Sequence, residues 1–177
     1  MTDAGESQKE ARILTSQIFH AKRTTNIGAW NVRTLYQSGK LAQVIRETTK
    51  YDLDILGISE MRWTESGKFN QDGMTMLYSR HKTHHKNGIG IILRDHAAKA
   101  LVEWNPVSER IITARLITRH AKVTVIQVYA PTELASEEDK DDFYNHLQHT
   151  IDNVPNYDLK LVIRGFNAKN LTYPSWV

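Results

Sequence analysis

The 177-residue chain predicts an α/β layered domain that mixes parallel and antiparallel strands. Three observations carry this reading. Seven short apolar segments are interleaved with two clear amphipathic helical patterns. Two neighbouring pairs of those segments read as antiparallel hairpins, which argues against a purely parallel doubly wound sheet. No glycine-rich phosphate loop joins a strand to a helix, since Gly88-Ile89-Gly90 leads into another strand.

Residues 1–24 lack sustained periodicity and read as a loose N-terminal arm, with a short helix around Ala11–Phe19. The domain itself is read as residues 25–177. Asn26–Val32 (NIGAWNV) is the first strand. Ser38 is placed to cap a helix over 39–50, where Leu41, Val44, Ile45 and Thr48 recur at helical spacing. Leu53–Glu60 (LDILGISE) is mostly apolar, as expected of a strand covered on both faces. Met74–Ser79 and Ile89–Leu93 form a strand pair linked by a basic loop that ends at Asn87-Gly88. Arg110–Ile117 and Lys122–Ala130 form a second pair around a turn at Thr118–Ala121. Ser136 and Asp139 make a capping-box-like helix start. Phe143, Leu147, Ile151 and Val154 then mark the apolar stripe of that helix, and Pro155 stops it. Leu159–Ile163 is the last clear strand.

Composition narrows the classes. A chain of this length buries roughly 70% of its unfolded surface, so one core can hold it. Cysteine is absent, which excludes disulfides and thiolate zinc sites. No run approaches the roughly 18 apolar residues of a membrane-spanning helix. The opening MTDAGESQKE is polar and acidic, unlike a secretory signal, so an intracellular location is expected. The net charge of +3, from 23 basic against 20 acidic residues, is too small to be a nucleic-acid footprint by itself. Its distribution adds a basic stretch at 80–86 (RHKTHHK), suited to a phosphate backbone or to a solvated loop.

Polar side chains close several apolar strands: Asn31 after IGAW, Glu60 after LDILGIS, Tyr129 after VTVIQV and Asn167 after LVIRGF. Strand ends are where ligand sites gather in layered α/β proteins. A carboxylate closing a buried strand costs several kcal/mol unless it is paired or metal-bound. Glu60 therefore reads either as an oxygen ligand for a hard divalent ion or as the partner of nearby Arg62 at a solvent edge.

The strings IGAWNVRTL, LDILGISEMRW, NGIGIIL, SERIITARL, VIQVYAPT and LVIRGFNAKN follow one another in an order found in one family. Over about residues 25–170 the chain resembles the endonuclease/exonuclease/phosphatase superfamily. Within it, the likeness is to the apurinic-endonuclease-like domains of non-LTR retrotransposons and to host homologues of the craniofacial-development-protein type. The WNVRTL and SEMRW strings argue against the phosphoinositide phosphatase and sphingolipid hydrolase branches. The resemblance implies two packed mixed β-sheets flanked by helices. It also implies a Mg2+ cofactor, with Mn2+ as a substitute, and DNA as substrate, hydrolysed to leave a 3′ hydroxyl. A reverse transcriptase domain is an implied partner, and a nuclear location would follow from the DNA.

Carried over by motif, Glu60 binds the metal with Asn31 beside it, and Tyr129 and Asn167 contact the scissile phosphate. Arg110, in the SERI segment, is expected in a backbone-facing or structural role, and with Arg164 it is a phosphate-contact candidate. Two departures weaken the implied activity. Gly165 stands where the family's Asp-Xaa-Asn aspartate is expected. The chain also ends before the late strands and the Asp-His motif, so a missing C-terminal segment is an expected partner. The expectation is an endonuclease by descent with weak or absent turnover. The alternatives are a non-catalytic nucleic-acid- or protein-binding module and a relic without function.

Overall fold

The computed structural model describes residues 18–19, 22–35, 37–63, 65–79 and 88–165. Nine strands and three helices lie among them. In chain order these are β1 (Ile27–Asn31), α1 (Lys40–Lys50), β2 (Ile55–Ser59), β3 (Gly67–Gln71), β4 (Met74–Ser79), β5 (Ile89–Arg94), α2 (Asp95–Ala98), β6 (Leu101–Ser108), β7 (Ile111–Ile117), β8 (Lys122–Val128), α3 (Glu137–Asp152) and β9 (Leu159–Arg164). Sheet one runs β1-β2-β5-β4-β3 and sheet two runs β6-β7-β8-β9. Both are mixed. The pairs β1–β2 and β8–β9 are parallel, and every other neighbouring pair is antiparallel. The expected sandwich of two mixed sheets flanked by helices is what the chain forms.

Strand alternation explains the layering. Ile55, Leu77, Ile91 and Leu93 of sheet one meet Ile112, Ala114, Val125 and Ile163 of sheet two in the central layer. The other face of sheet one carries Leu56, Ile58, Met76 and Ile92, which pack against Val44 and Ile45 of α1. The other face of sheet two carries Ile111, Ile126 and Val128, covered by Phe143 of α3 and by Val154. The predicted stripe on α3 thus faces its sheet.

The two long helices begin differently. Ser136 caps α3, its Oγ accepting from Asp139 N at 3.1 Å. Ser38 does not cap α1. The N-cap there is Gly39, at φ 82° with no side-chain cap, because the chain enters α1 through a left-handed turn that glycine adopts without strain. The hairpin turn at 118–121 forms as expected, with Thr118 Oγ1 accepting from the amides of His120 and Ala121. Of residues 1–24, Ile18 is described as buried in the central layer, and the helix expected around Ala11–Phe19 falls almost wholly outside the described residues. No helix among the described residues is long and apolar enough to cross a membrane.

Strand β9 is anchored from below. The Asp158 side chain, with no exposed surface, accepts from Arg115 Nε at 2.6 Å, Arg115 Nη2 at 3.0 Å and Thr124 Oγ1 at 2.9 Å. The Arg115 hydrogen bonds hold its carboxyl below the usual range, against the opposing effect of burial, and Asp158 in turn raises Arg115.

Candidate active site

Because β1 and β2 are parallel, their C-terminal ends lie side by side, with Asn31 opposite Ser59. In sheet two β8 and β9 do the same, ending at Val128 opposite Arg164. The inward-facing residues at these four ends are therefore Asn31, Ser59, Tyr129 and Gly165, gathered at one edge of the central layer. Glu60, one step past β2, would by strict alternation point to the α1 face with Leu56 and Ile58. It lies at φ 62°, and this left-handed residue breaks the alternation. Its carboxylate is bonded to residues of the central layer.

Two donors from different sheets meet on one oxygen. Asn31 Nδ2 donates to Glu60 Oε1 at 2.7 Å, and Tyr129 OH donates to the same atom at 2.6 Å. Asn31 is itself oriented, since its Oδ1 accepts from Arg33 N at 3.0 Å in an Asx-type turn. The backbone continues the pairing beyond the strands, with Val32 N donating to Ser59 O and Leu35 N to Met61 O. Tyr129 is buried, and its backbone N–H donates to Arg110 O at 2.9 Å. Among the described residues no hydrogen bond falls on Glu60 Oε2.

That open oxygen is the test of a metal. No group of three or more His, Cys, Asp or Glu among the described residues could hold an ion. One carboxylate oxygen suits an ion such as Mg2+, which keeps waters and takes substrate phosphate as further ligands, and does not suit structural zinc.

Gly165 is buried against this cluster. A Cβ there would lie 3.0 Å from Ser59 Oγ and 3.8 Å from Asn31 N. One layer deeper, Gln127 is fully buried against Gly57, and its Oε1 has no hydrogen-bond partner among the described residues. A Cβ on Gly57 would fall 1.9 Å from that oxygen, so a side chain at 57 would displace the Gln127 amide.

No protein-family profile matches the chain. It is similar to craniofacial development protein 2 of Bos taurus, 35% identical over 165 residues, which are 93% of this chain and 28% of that protein. The protein of the same name from Tragulus javanicus is 34% identical over 93% of this chain and 29% of its own length. The chain thus spans a little over a quarter of the curated relatives it matches. Among solved structures it resembles the endonuclease domain of TRAS1, a telomere-specific non-LTR retrotransposon. The TM-score is 0.55 at 15% identity, over 83% of this chain and 61% of that one. It also resembles an endonuclease/exonuclease/phosphatase family protein from Leptotrichia buccalis, with a TM-score of 0.54 at 12% identity, over 78% of this chain and 66% of that one. The D. rerio TDP2 complex with single-strand DNA product has a TM-score of 0.54 at 12% identity, over 79% of this chain and 58% of that one.

The fold is that of the endonuclease/exonuclease/phosphatase superfamily.

Within this endonuclease/exonuclease/phosphatase fold the structure brings Asn31, Glu60, Tyr129 and Gly165 to one edge. Arg110 lies in the β6–β7 turn, with Nη1 donating to Tyr129 O at 3.1 Å and its guanidinium 5.3 Å from the Tyr129 ring centroid. Arg164 is exposed and alternates with Ile163 and Gly165, so it shares the face of Lys160 and Val162. It is not brought to the central layer with the others. Asn167 and the basic stretch 80–86 lie outside the described residues. Sequence reasoning passed over Ser59 and Gln127. The signal for Gln127 was present, as a lone amide inside the apolar run VTVIQVYA.

Proposed function

We propose that the chain carries a divalent-metal site for DNA phosphodiesters, descended from a retrotransposon-type endonuclease, in which hydrolysis is slow or lost. The supporting observation is the convergence of Asn31 and Tyr129, from different sheets, on one oxygen of Glu60. A bound Mg2+, or Mn2+ in its place, would supply Lewis-acid stabilisation of the phosphoryl oxygens. Glu60 Oε2 is the protein oxygen that would hold it. Asn31 and Tyr129 fix the carboxylate from either side; the single Tyr129 O–H would turn from Glu60 to the scissile phosphate when DNA binds, with Asn167 as the second phosphate contact. The DNA product in the TDP2 complex is in keeping with this substrate class.

Hydrolysis to a 3′ hydroxyl joins the water oxygen to phosphorus, breaks the P–O3′ bond and delivers a proton to O3′. That hydroxyl is the end a reverse transcriptase extends, and DNA as substrate implies a nuclear site of action. Gly165 offers no side chain to orient the water or take its proton. Arg164 does not replace that group as a base, because a guanidinium offers hydrogen-bond donors and no acceptor. Loss of one such group commonly lowers a rate by about 10² to 10⁴. The buried glycine at this edge also favours a second reading, a DNA-binding module that retains the metal and phosphate contacts without turnover.

The test is nicking and retention of supercoiled plasmid in Mg2+ and in EDTA, with Glu60→Ala beside the native chain. The expected result is Mg2+-dependent retention lost in Glu60→Ala, with nicking barely above the EDTA background. Brisk Mg2+-dependent nicking, absent from Glu60→Ala, would show that turnover survives without a carboxylate at 165. Identical behaviour of both proteins, with and without Mg2+, would overturn the reading.

A further inference from the structure

We propose that Arg110 is a positioning residue that acts through Tyr129 to fix the Glu60 carboxylate, rather than a contact to phosphate. The inference rests on the metal site proposed above and deepens it. Tyr129 stands just beyond the last paired residue of β8, where Ile111 and Val128 close the β7–β8 ladder. A tyrosine at a strand end is free to swing unless something outside the ladder holds it. Arg110 holds it at three places. Its carbonyl accepts from Tyr129 N at 2.9 Å, which extends the ladder by one bond. Its Nη1 donates to Tyr129 O at 3.1 Å. Its guanidinium sits 5.3 Å from the centroid of the phenol ring.

The other end of that ring donates to Glu60 Oε1 at 2.6 Å, and Glu60 is tied onward to Asn31 at 2.7 Å. A continuous path therefore runs from the β6–β7 turn in sheet two to the end of β1 in sheet one. Arg110 is itself set in place by its backbone N–H, which donates to Ser108 Oγ at 3.2 Å. The planar guanidinium suits this double task. It can donate in its plane to a carbonyl while its cation lies near an aromatic ring, which an ammonium on a flexible stem does poorly. Arg110 and Glu60 have opposite charges, yet the guanidinium of Arg110 ends on Tyr129, so its influence on the carboxylate passes through the phenol.

Two readouts on Arg110→Met and Arg110→Lys test this, using the whole chain. The first is the ring-carbon NMR resonance of Tyr129 in tyrosine-labelled protein, which reports its hydrogen bond to Glu60 and needs no metal. Glu60→Gln supplies the reference shift, and Tyr129→Phe assigns the signal. The second is Mn2+ affinity, read by the EPR signal of free Mn2+. Arg110→Met is expected to move the Tyr129 resonance as Glu60→Gln does. It should weaken Mn2+ binding about tenfold, as loss of an outer partner of a metal ligand does. The same change in a Tyr129→Phe background should weaken Mn2+ no further, because the two act as one unit. Arg110→Lys, which keeps the charge, should recover only part of either effect, and it carries the test if the methionine variant does not fold. An unmoved Tyr129 resonance in folded Arg110 variants would overturn the proposal. So would unchanged Mn2+ affinity joined to a shallower salt dependence of DNA binding, the signature of a lost phosphate contact. If the native chain binds no Mn2+ but the resonance still responds to Arg110, the metal reading fails and the positioning role stands.

Discussion

The two parallel crossovers of the molecule, β1–α1–β2 in sheet one and β8–α3–β9 in sheet two, deliver strand ends to the same edge and leave different chemistry there. The first residue past the unit is Glu60 in sheet one and Gly165 in sheet two. Glu60 lies at φ 62°, a conformation that glycine takes freely and that strains a glutamate by about 1–3 kcal/mol. Gly165 is not in that left-handed region, so its backbone does not call for glycine. The sequence thus keeps a carboxylate where the backbone disfavours one and omits a side chain where the backbone would accept it. The strained Glu60 is held by two donors on its Oε1, Asn31 and Tyr129. The glycine at 165 instead leaves its space to Ser59, whose Oγ lies 3.0 Å from where a Cβ would stand.

The largest expected effect asks whether the second unit is still well anchored. Asp158→Ala should lower stability by about 3 kcal/mol in urea denaturation, toward the low end for a broken buried pair because Arg115 keeps a 26% exposed side chain. Asp158 also gives a pH dependence with a definite sign. Its carboxyl is held below its unfolded value by Arg115, so its stabilisation is present above about pH 4 and is lost as pH falls through the folded value. Asp158→Asn should flatten that acid limb. An unchanged limb would show that sheet two does not lean on this pair.

Next in size, Gly165→Asp should make the two ends chemically alike. Plasmid nicking in Mg2+ should rise by about 10²-fold, with Glu60→Ala abolishing the gain. The added Cβ, 3.0 Å from Ser59 Oγ, asks that hydroxyl to give way, so pairing the change with Ser59→Gly should raise the yield of folded protein. A folded Gly165→Asp chain with no gain would mean that the second end lacks more than this one group.

A smaller effect probes the seam between the units. Gly57→Ala should destabilise by about 1–3 kcal/mol, because its methyl would overlap the Gln127 amide. Gln127→Ala should relieve most of that loss in a double-mutant cycle, and additive losses would place the clash elsewhere. The smallest effect compares the two crossover helices. Ser136→Ala should cost about 1 kcal/mol, measured by thermal melting, while Ser38→Ala should change little because Gly39 occupies the N-cap.

The comparison also shows what the sequence made legible. Strands with a buried face announce themselves by apolar runs, and β1, β2, β4, β5, β7, β8 and β9 were all readable to within a few residues. The edge strands β3 and β6 were not. GKFNQ is mostly polar because β3 pairs on one side only. LVEWNPVS carries a proline and two register irregularities that read as loop, both of which an edge strand tolerates. Strand-end polarity marked Asn31, Glu60 and Tyr129 as a set. It did not foretell that Glu60 turns inward through a left-handed residue, because alternation predicts the opposite face. The grip of Arg110 on Tyr129 was equally hidden, since it depends on a turn meeting a strand end 19 residues away.

The most direct measurement of the central claim is Mn2+ binding by EPR to the native chain and to Glu60→Gln, which keeps the size of the side chain. One Mn2+ site is expected in the native protein, lost in Glu60→Gln with the fold intact. Equal binding by both proteins, or none by a folded native chain, would contradict it.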